Sequence, residues 1–154
     1  MKYLKDEYDN KADWDNAYNL WLREFEDIIP SFPKRFLKEF QSYHFHDNKV
    51  YNIVLQKKRK KGIQYIQYTI QLYVKDVYHF GTGHILTFHD VKKYKTLLTL
   101  GGVGCLDWLY CEFLKTQNNN YSFELCVPGR VGGDDKNSIY IEFERLTYKK
   151  ISLE

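Results

Sequence analysis

The hydrophobic period of this chain changes from 3.6 to 2 near residue 49. Before that point, apolar residues recur at three- and four-residue steps, as on one face of an amphipathic helix. After it, apolar and polar residues alternate, as in strands that bury one face. No helical pattern separates the later strands, which disfavours a parallel sheet. The sequence therefore predicts an α+β fold, with two N-terminal helices packed on an antiparallel, curved or partly closed β-meander of about six strands.

Both predicted helices lie in the segment 1–43. The first covers about residues 11–29, with acidic side chains opposite its apolar stripe. Pro30 ends it, because proline disfavours helical backbone at the residue before it. The second begins with Ser31 as its N-cap and ends near Tyr43.

The predicted antiparallel sheet covers residues 49–153. Its clearest strand is Ile66–Val74, where apolar and polar residues alternate without interruption. A further strand is predicted over about residues 85–94. Three consecutive asparagines at 118–120 favour a hairpin turn, because asparagine tolerates positive φ. Since a chain of this length usually builds one core, residues 1–154 are predicted to form a single domain.

Composition excludes several classes of protein. Aromatic residues make up 18% of the 154 residues, which is too many for a disordered chain. No apolar run approaches the ~18–20 residues of a membrane span, and the first residues lack a signal-peptide pattern. The cysteines, Cys105, Cys111 and Cys126, are odd in number and have no zinc-ribbon spacing, which indicates reduced thiols. We therefore expect a cytoplasmic protein that does not engage a membrane.

Charge is unevenly distributed along the chain. Residues 1–30 hold four basic and eight acidic side chains, a balance of −4, whereas residues 31–95 hold thirteen and four, a balance of +9. One interpretation is intramolecular, with the acidic first helix partly neutralising a cationic surface. The alternative is a surface for an acidic partner, either another protein or a nucleic acid.

Five consecutive cations are predicted to form a hairpin turn and are candidates for partner binding: Lys57, Lys58, Arg59, Lys60 and Lys61. Such a run is typical of a solvated turn that guards against edge-to-edge association. It also suits phosphate binding, with nearby tyrosines to stack bases: Tyr65, Tyr73 and Tyr78. Trp108 and Tyr110 are further candidates for partner binding. They share one side of a predicted strand. There they form either an exposed aromatic patch or a second small core under the helices.

The histidines offer a weak metal-site hypothesis. His44, His46 and Asp47 lie close together where helix gives way to strand, and imidazole with carboxylate suits zinc-like metals. No strong ligand spacing accompanies them, so we expect no metal and no cofactor. The preferred role of His46 and Asp47 is a structural corner, where they hydrogen-bond exposed backbone groups.

No catalytic residues are predicted. The glycine-rich segment 99–104 lacks both G-x-G-x-x-G spacing and a Walker lysine. A G-x-S-x-G nucleophile elbow is also absent. The sequence therefore favours a binding protein over an enzyme.

The order of these features resembles a group of small bacterial proteins. The resemblance is carried by a helical N-terminus, the segment Phe45-His46-Asp47-Asn48-Lys49-Val50, and a meander that ends in Ile141-Glu142-Phe143. Some relatives of that group look like immunity proteins encoded beside polymorphic toxins. The resemblance implies a non-catalytic, cytoplasmic module that binds another protein, of an immunity or antitoxin-like type. Rigid scaffolds rich in tyrosine and tryptophan suit that task.

Overall fold

The structure is a computed structural model, and it describes residues 2–4, 10–43, 45–59, 66–97, 106–108, 110–127 and 137–153. Helix α1 is Lys11–Ile28 and helix α2 is Lys34–Tyr43, with a 3₁₀ turn, Ile29–Ser31, between them. The strands are β1 (Lys49–Arg59), β2 (Ile66–Lys75), β3 (Thr82–His89), β4 (Lys93–Leu97), β5 (Leu106–Asp107), β6 (Tyr110–Lys115), β7 (Tyr121–Val127), β8 (Asn137–Phe143) and β9 (Arg145–Ser152).

The strands form two open antiparallel sheets. The first sheet has the order β5-β1-β2-β3-β9, and the second has the order β4-β8-β7-β6. All of the strand pairs within them are antiparallel. The predicted α+β class and antiparallel sheet are therefore confirmed. The expected number of about six strands is roughly right, whereas the partly closed form is wrong, because the strands divide between two open sheets.

The division begins at Asp90, where the predicted strand 85–94 breaks. Asp90 has a φ of 54°, which strand backbone does not adopt. Beyond it, Val91 N donates to Tyr68 O in the first sheet, and Lys92 N donates to Glu142 O in the second. The chain thus passes from β3 to β4 within three residues. Asp90 stands where the face of Leu86 and Phe88 would continue, so a polar residue in the buried register was the local signal of the break.

Proline sets the boundary between the helices. The first helix agrees with its prediction, and its N-cap is Asn10, whose Oδ1 accepts Asp13 N at 3.0 Å. The prediction of Ser31 as the N-cap of α2 is wrong, because Ser31 ends the 3₁₀ turn. Pro33 keeps Phe32 extended, with φ −104° and ψ 152°. The helix therefore starts two residues later than expected.

Aromatic rings join the helices to both sheets. Phe113 of β6 lies at the centre, with ring contacts to five other phenylalanines: Phe25, Phe32, Phe36, Phe40 and Phe123. Across the two sheets, Phe88 of β3 contacts Phe123 and Phe143. A single cluster of buried residues therefore includes both helices and both sheets. Neither α1 nor α2 combines the length and hydropathy of a membrane-crossing helix, in the part of the chain that the structure describes.

Two cysteines contribute to this core as small apolar side chains. Cys111 and Cys126 are buried thiols on adjacent strands, β6 and β7. Burial raises the pKa of the Cys111 thiol well above its usual value. Such a thiol stays protonated and unreactive. Cys105 lies outside the described residues.

Phe113→Ala is expected to reduce the free energy of unfolding by about 3–5 kcal/mol, since it removes a buried ring that five others contact. The matched control is Phe80→Ala, the same chemical change at a side chain that is 100% exposed. Urea unfolding measures both variants. Similar losses of stability would contradict the position of Phe113 in the core.

Candidate functional site

The loop between β2 and β3, residues 76–81, is folded around the carboxylate of Asp76. Its Oδ1 accepts the backbone N–H of Tyr78 at 2.9 Å and of His79 at 3.0 Å. The backbone closes the same loop, since Asp76 N donates to Thr82 O and Thr82 N donates to His79 O. Aspartate commonly starts a turn in this way, by accepting N–H groups two and three residues ahead. These bonds fix the backbone of the loop.

The second oxygen of Asp76 extends this network into the core. Its Oδ2 lies 2.8 Å from His79 Nδ1 and 3.1 Å from His84 Nε2. On its other side, His84 Nδ1 lies 2.7 Å from the hydroxyl of Tyr148 on β9. A neutral His84 with its proton on Nε2 satisfies both contacts, because it donates to Asp76 and accepts from Tyr148.

The pKa values in this network favour an ionised carboxylate and a protonated tyrosine, which suits a structural role. Burial alone raises the pKa of Asp76, but hydrogen bonds from His79, His84 and the loop backbone lower it to about 2. Burial lowers the pKa of His84, against the opposing effect of Asp76. Burial also raises the pKa of the Tyr148 hydroxyl, with further effects from Glu39 and Asp76. At neutral pH the carboxylate is ionised and the tyrosine is protonated, so Tyr148 does not supply a tyrosinate base.

Apolar side chains cover the outer side of this loop. Phe80 is 100% exposed, Tyr78 is 57% exposed and Val77 is 41% exposed. Gly81 follows with a φ of 76°, a backbone conformation that favours glycine, and returns the chain to β3. We call residues 77–80 the aromatic tip. A single exposed apolar residue is ordinary, but a fully exposed phenylalanine on a loop with a fixed backbone makes the tip a candidate for binding.

The predicted corner at His46 and Asp47 supports the aromatic tip. Asp47 Oδ2 accepts the Tyr78 hydroxyl at 2.9 Å and lies 3.1 Å from His46 Nδ1. Asp47 N also donates to the backbone oxygen of Trp108 at 2.8 Å. These two side chains are 41% and 55% exposed, and their expected hydrogen bonds to backbone groups stay a prediction. The carboxylate of Asp47 therefore supports the tip at the surface, through its hydrogen bond from the Tyr78 hydroxyl.

Asn48 is the buried side chain that joins this corner to the tip. It is fully buried, and its Oδ1 accepts the backbone N–H of Val77 at 3.1 Å. Its backbone oxygen accepts Trp108 N at 2.7 Å. Sequence reasoning named Asn48 only within the segment that carries the resemblance, and it did not select Asp76 or Phe80. An aspartate at the end of the clearest strand, five residues before a glycine, was the available signal for the turn.

The metal hypothesis gains no third ligand here. His44 lies outside the described residues, and His46 contacts Asp47 directly. In the described ranges, no group of three histidine, cysteine, aspartate or glutamate side chains is placed to hold a metal ion. His79 and His84 converge instead on the carboxylate of Asp76.

Trp108 does not belong to an exposed patch. Its side chain is fully buried and contacts the rings of Phe45 and Phe123. Trp108 precedes β6 and is not part of that strand. The prediction that it shares one side of a strand with Tyr110 therefore does not apply. Tyr110 is partly buried, with its ring 6.5 Å from Trp14 and 5.6 Å from His46.

The predicted basic turn is part of a strand over its first three residues. β1 continues to Arg59, and Lys57, Lys58 and Arg59 pair with residues at the start of β2. All three side chains are exposed. Lys60, Lys61 and Tyr65 lie outside the described residues. Tyr73 contacts Tyr51, and Tyr78 lies beyond the opposite end of β2, roughly 30 Å from the cations at about 3.3 Å per residue.

No family model, curated protein or solved structure matches the chain. The resemblance to immunity-like proteins therefore stays a prediction from the sequence. Function has to be inferred from the two surfaces just described, which are the aromatic tip and the cationic end of β1 and β2.

Asp76→Asn is expected to reduce the free energy of unfolding by about 2 kcal/mol at pH 7. The pKa of Asp76 in the fold, about 2, lies below its ordinary value of 3.8. The ionised carboxylate therefore stabilises the fold above about pH 4, and this contribution is lost as the pH falls towards 2. Urea unfolding of both proteins across that range measures the difference.

The control for this experiment is Asp15→Asn, which removes a carboxylate from the exposed face of α1. A loss of stability that is equal in the two variants, or constant between pH 7 and pH 2, would contradict the role given to Asp76.

Proposed function

We propose that the chain is a non-catalytic protein-binding module, of the immunity or antitoxin-like kind, that neutralises a partner toxin by occupying its surface. The observation that carries this proposal is the aromatic tip, where Phe80 is fully exposed on a loop held by Asp76. Aromatic side chains dominate the binding energy of protein interfaces when they enter a partner's pocket.

A fixed loop backbone increases what such a side chain contributes. Ordering a loop on binding costs free energy, and a loop ordered in advance avoids that cost. Here the carboxylate of Asp76 holds two N–H groups of the loop, and Asn48 holds a third, that of Val77. The tip therefore suits recognition of a preformed pocket.

The composition of the tip favours a protein over a membrane. Membrane-binding loops combine apolar side chains with lysine and arginine for the lipid headgroups. Residues 77–80 contain no lysine or arginine, and the carboxylate of Asp47 accepts the hydroxyl of Tyr78. A negative charge beside the tip opposes an anionic lipid surface and suits an apolar pocket with a polar or cationic rim.

Phe80→Ala is expected to weaken binding to the toxin encoded beside this gene by about thirtyfold, the loss typical of a central aromatic residue. Calorimetry with purified proteins measures the two dissociation constants. Because Phe80 is fully exposed, the variant should keep its unfolding midpoint.

The matched control is Leu20→Ala, at an apolar side chain of α1 that is 42% exposed. It is expected to bind within about threefold of the unchanged protein. The proposal fails if no product of the adjacent genes binds, or if both variants lose the same affinity.

A further inference from the structure

A second surface arises where the core-facing side of the first sheet extends beyond the core. Along β2, the inward side chains of Val74, Leu72 and Ile70 are fully buried. The next two on that side, Tyr68 and Ile66, are 38% and 37% exposed.

The cause is the length of the neighbouring strand. β3 ends at His89, which pairs with Thr69, and the chain then leaves for the second sheet. Apart from the hydrogen bond from Val91 N to Tyr68 O, the start of β2 and the end of β1 therefore continue as a two-stranded extension. Its inward face keeps the apolar pattern of the sheet.

Three residues of β1 complete this face. Directly paired residues of antiparallel strands share a side, so Leu55 lies with Ile70, Lys57 with Tyr68, and Arg59 with Ile66. Leu55 is 56% exposed, and both cations are exposed. The hairpin strip, as we name it, consists of Leu55, Lys57, Arg59, Ile66 and Tyr68.

The acidic first helix does not neutralise this charge. α1 packs against β6, in the other sheet, and its Glu24 pairs with Lys2. Among the described residues, neither Lys57 nor Arg59 has an ion pair. The intramolecular account of the charge distribution is therefore not supported at these two positions.

We infer that the hairpin strip binds an extended acidic segment of another protein that carries carboxylates and apolar side chains on the same face. Lys57 and Arg59 attract the carboxylates, while Leu55, Ile66 and Tyr68 contact the apolar side chains. The strip lies at the opposite end of β2 from the aromatic tip, so this site does not depend on the proposed function of the tip.

Two other occupants fit the strip less well. Nucleic acid would match the cations and Tyr68, but Leu55 and Ile66 are aliphatic and offer bases no ring to stack on. A second copy of the chain would place its own Lys57 and Arg59 near these cations, and like charges across an interface cost affinity.

The test uses fluorescence anisotropy of the full chain with labelled probes at low salt. The principal probe is a short peptide in which glutamate and valine take turns at every second residue, with serine between them, so that both lie on one face of the extended chain. The comparison probes are an oligoglutamate of equal length, the same peptide with lysine in place of glutamate, and an oligothymidylate. We expect the glutamate–valine peptide to bind at least about tenfold more tightly than any comparison probe.

Two variants distinguish the contribution of the cations to peptide binding from that of the apolar side chains. Lys57→Glu with Arg59→Glu is expected to weaken binding of the glutamate–valine peptide by about tenfold or more. Leu55→Ser is expected to weaken it by about fivefold, because it removes the apolar contact and keeps the charge. Both side chains of the double variant are exposed, so its stability should change little.

The matched control reverses one lysine and one arginine elsewhere, Lys34→Glu with Arg35→Glu on the exposed side of α2. It should bind the peptide as the unchanged protein does. Equal binding of oligoglutamate would show a purely electrostatic surface, and preferred binding of oligothymidylate would show a nucleic-acid site. Either result, or an unaffected Leu55→Ser variant, would overturn the inference.

Discussion

The buried carboxylate of Asp76 joins three parts of the chain. It holds the loop after β2 through two N–H groups, β3 through His84, and indirectly β9 through Tyr148. A charged group of this kind is tolerated inside a protein only when its oxygens are fully hydrogen-bonded. The loop geometry is therefore coupled to core packing, since a shift in either would leave a buried charge without donors. The backbone of the exposed tip is therefore fixed by the need of the buried Asp76 carboxylate for hydrogen-bond donors.

Many of the phenylalanine side chains lie in the core where the helices contact the sheets. Phe113 receives rings from both helices, while Phe88 connects the two sheets through Phe123 and Phe143. Large rings in tilted and edge-on contact fill such a junction with few residues. Two short helices and two small sheets thereby form a common core that none of them has area to build alone.

Periodicity predicted the elements with strong patterns and missed features that depend on tertiary contact. Helix α1 and strand β2 follow their patterns closely, because each buries one regular face. The break at Asp90 and the buried position of Trp108 depend on where the chain changes sheets, which alternation does not encode. For the site, His46 and Asp47 lie between α2 and β1, and their role as a structural corner stays a prediction. Asp76 and Phe80 were missed because the search for function followed motifs of metal and phosphate chemistry.

Strand β2 also has a consequence for how a partner would be held. It separates the aromatic tip from the hairpin strip by roughly 30 Å, at about 3.3 Å per residue, and it is hydrogen-bonded to β1 and β3 over most of that length. Two weak contacts at a fixed spacing give bivalent binding, because the first contact raises the effective concentration of the partner at the second site. The fold would therefore select partners by the distance between two features as well as by their chemistry. A partner with both features at the wrong spacing would gain only one contact.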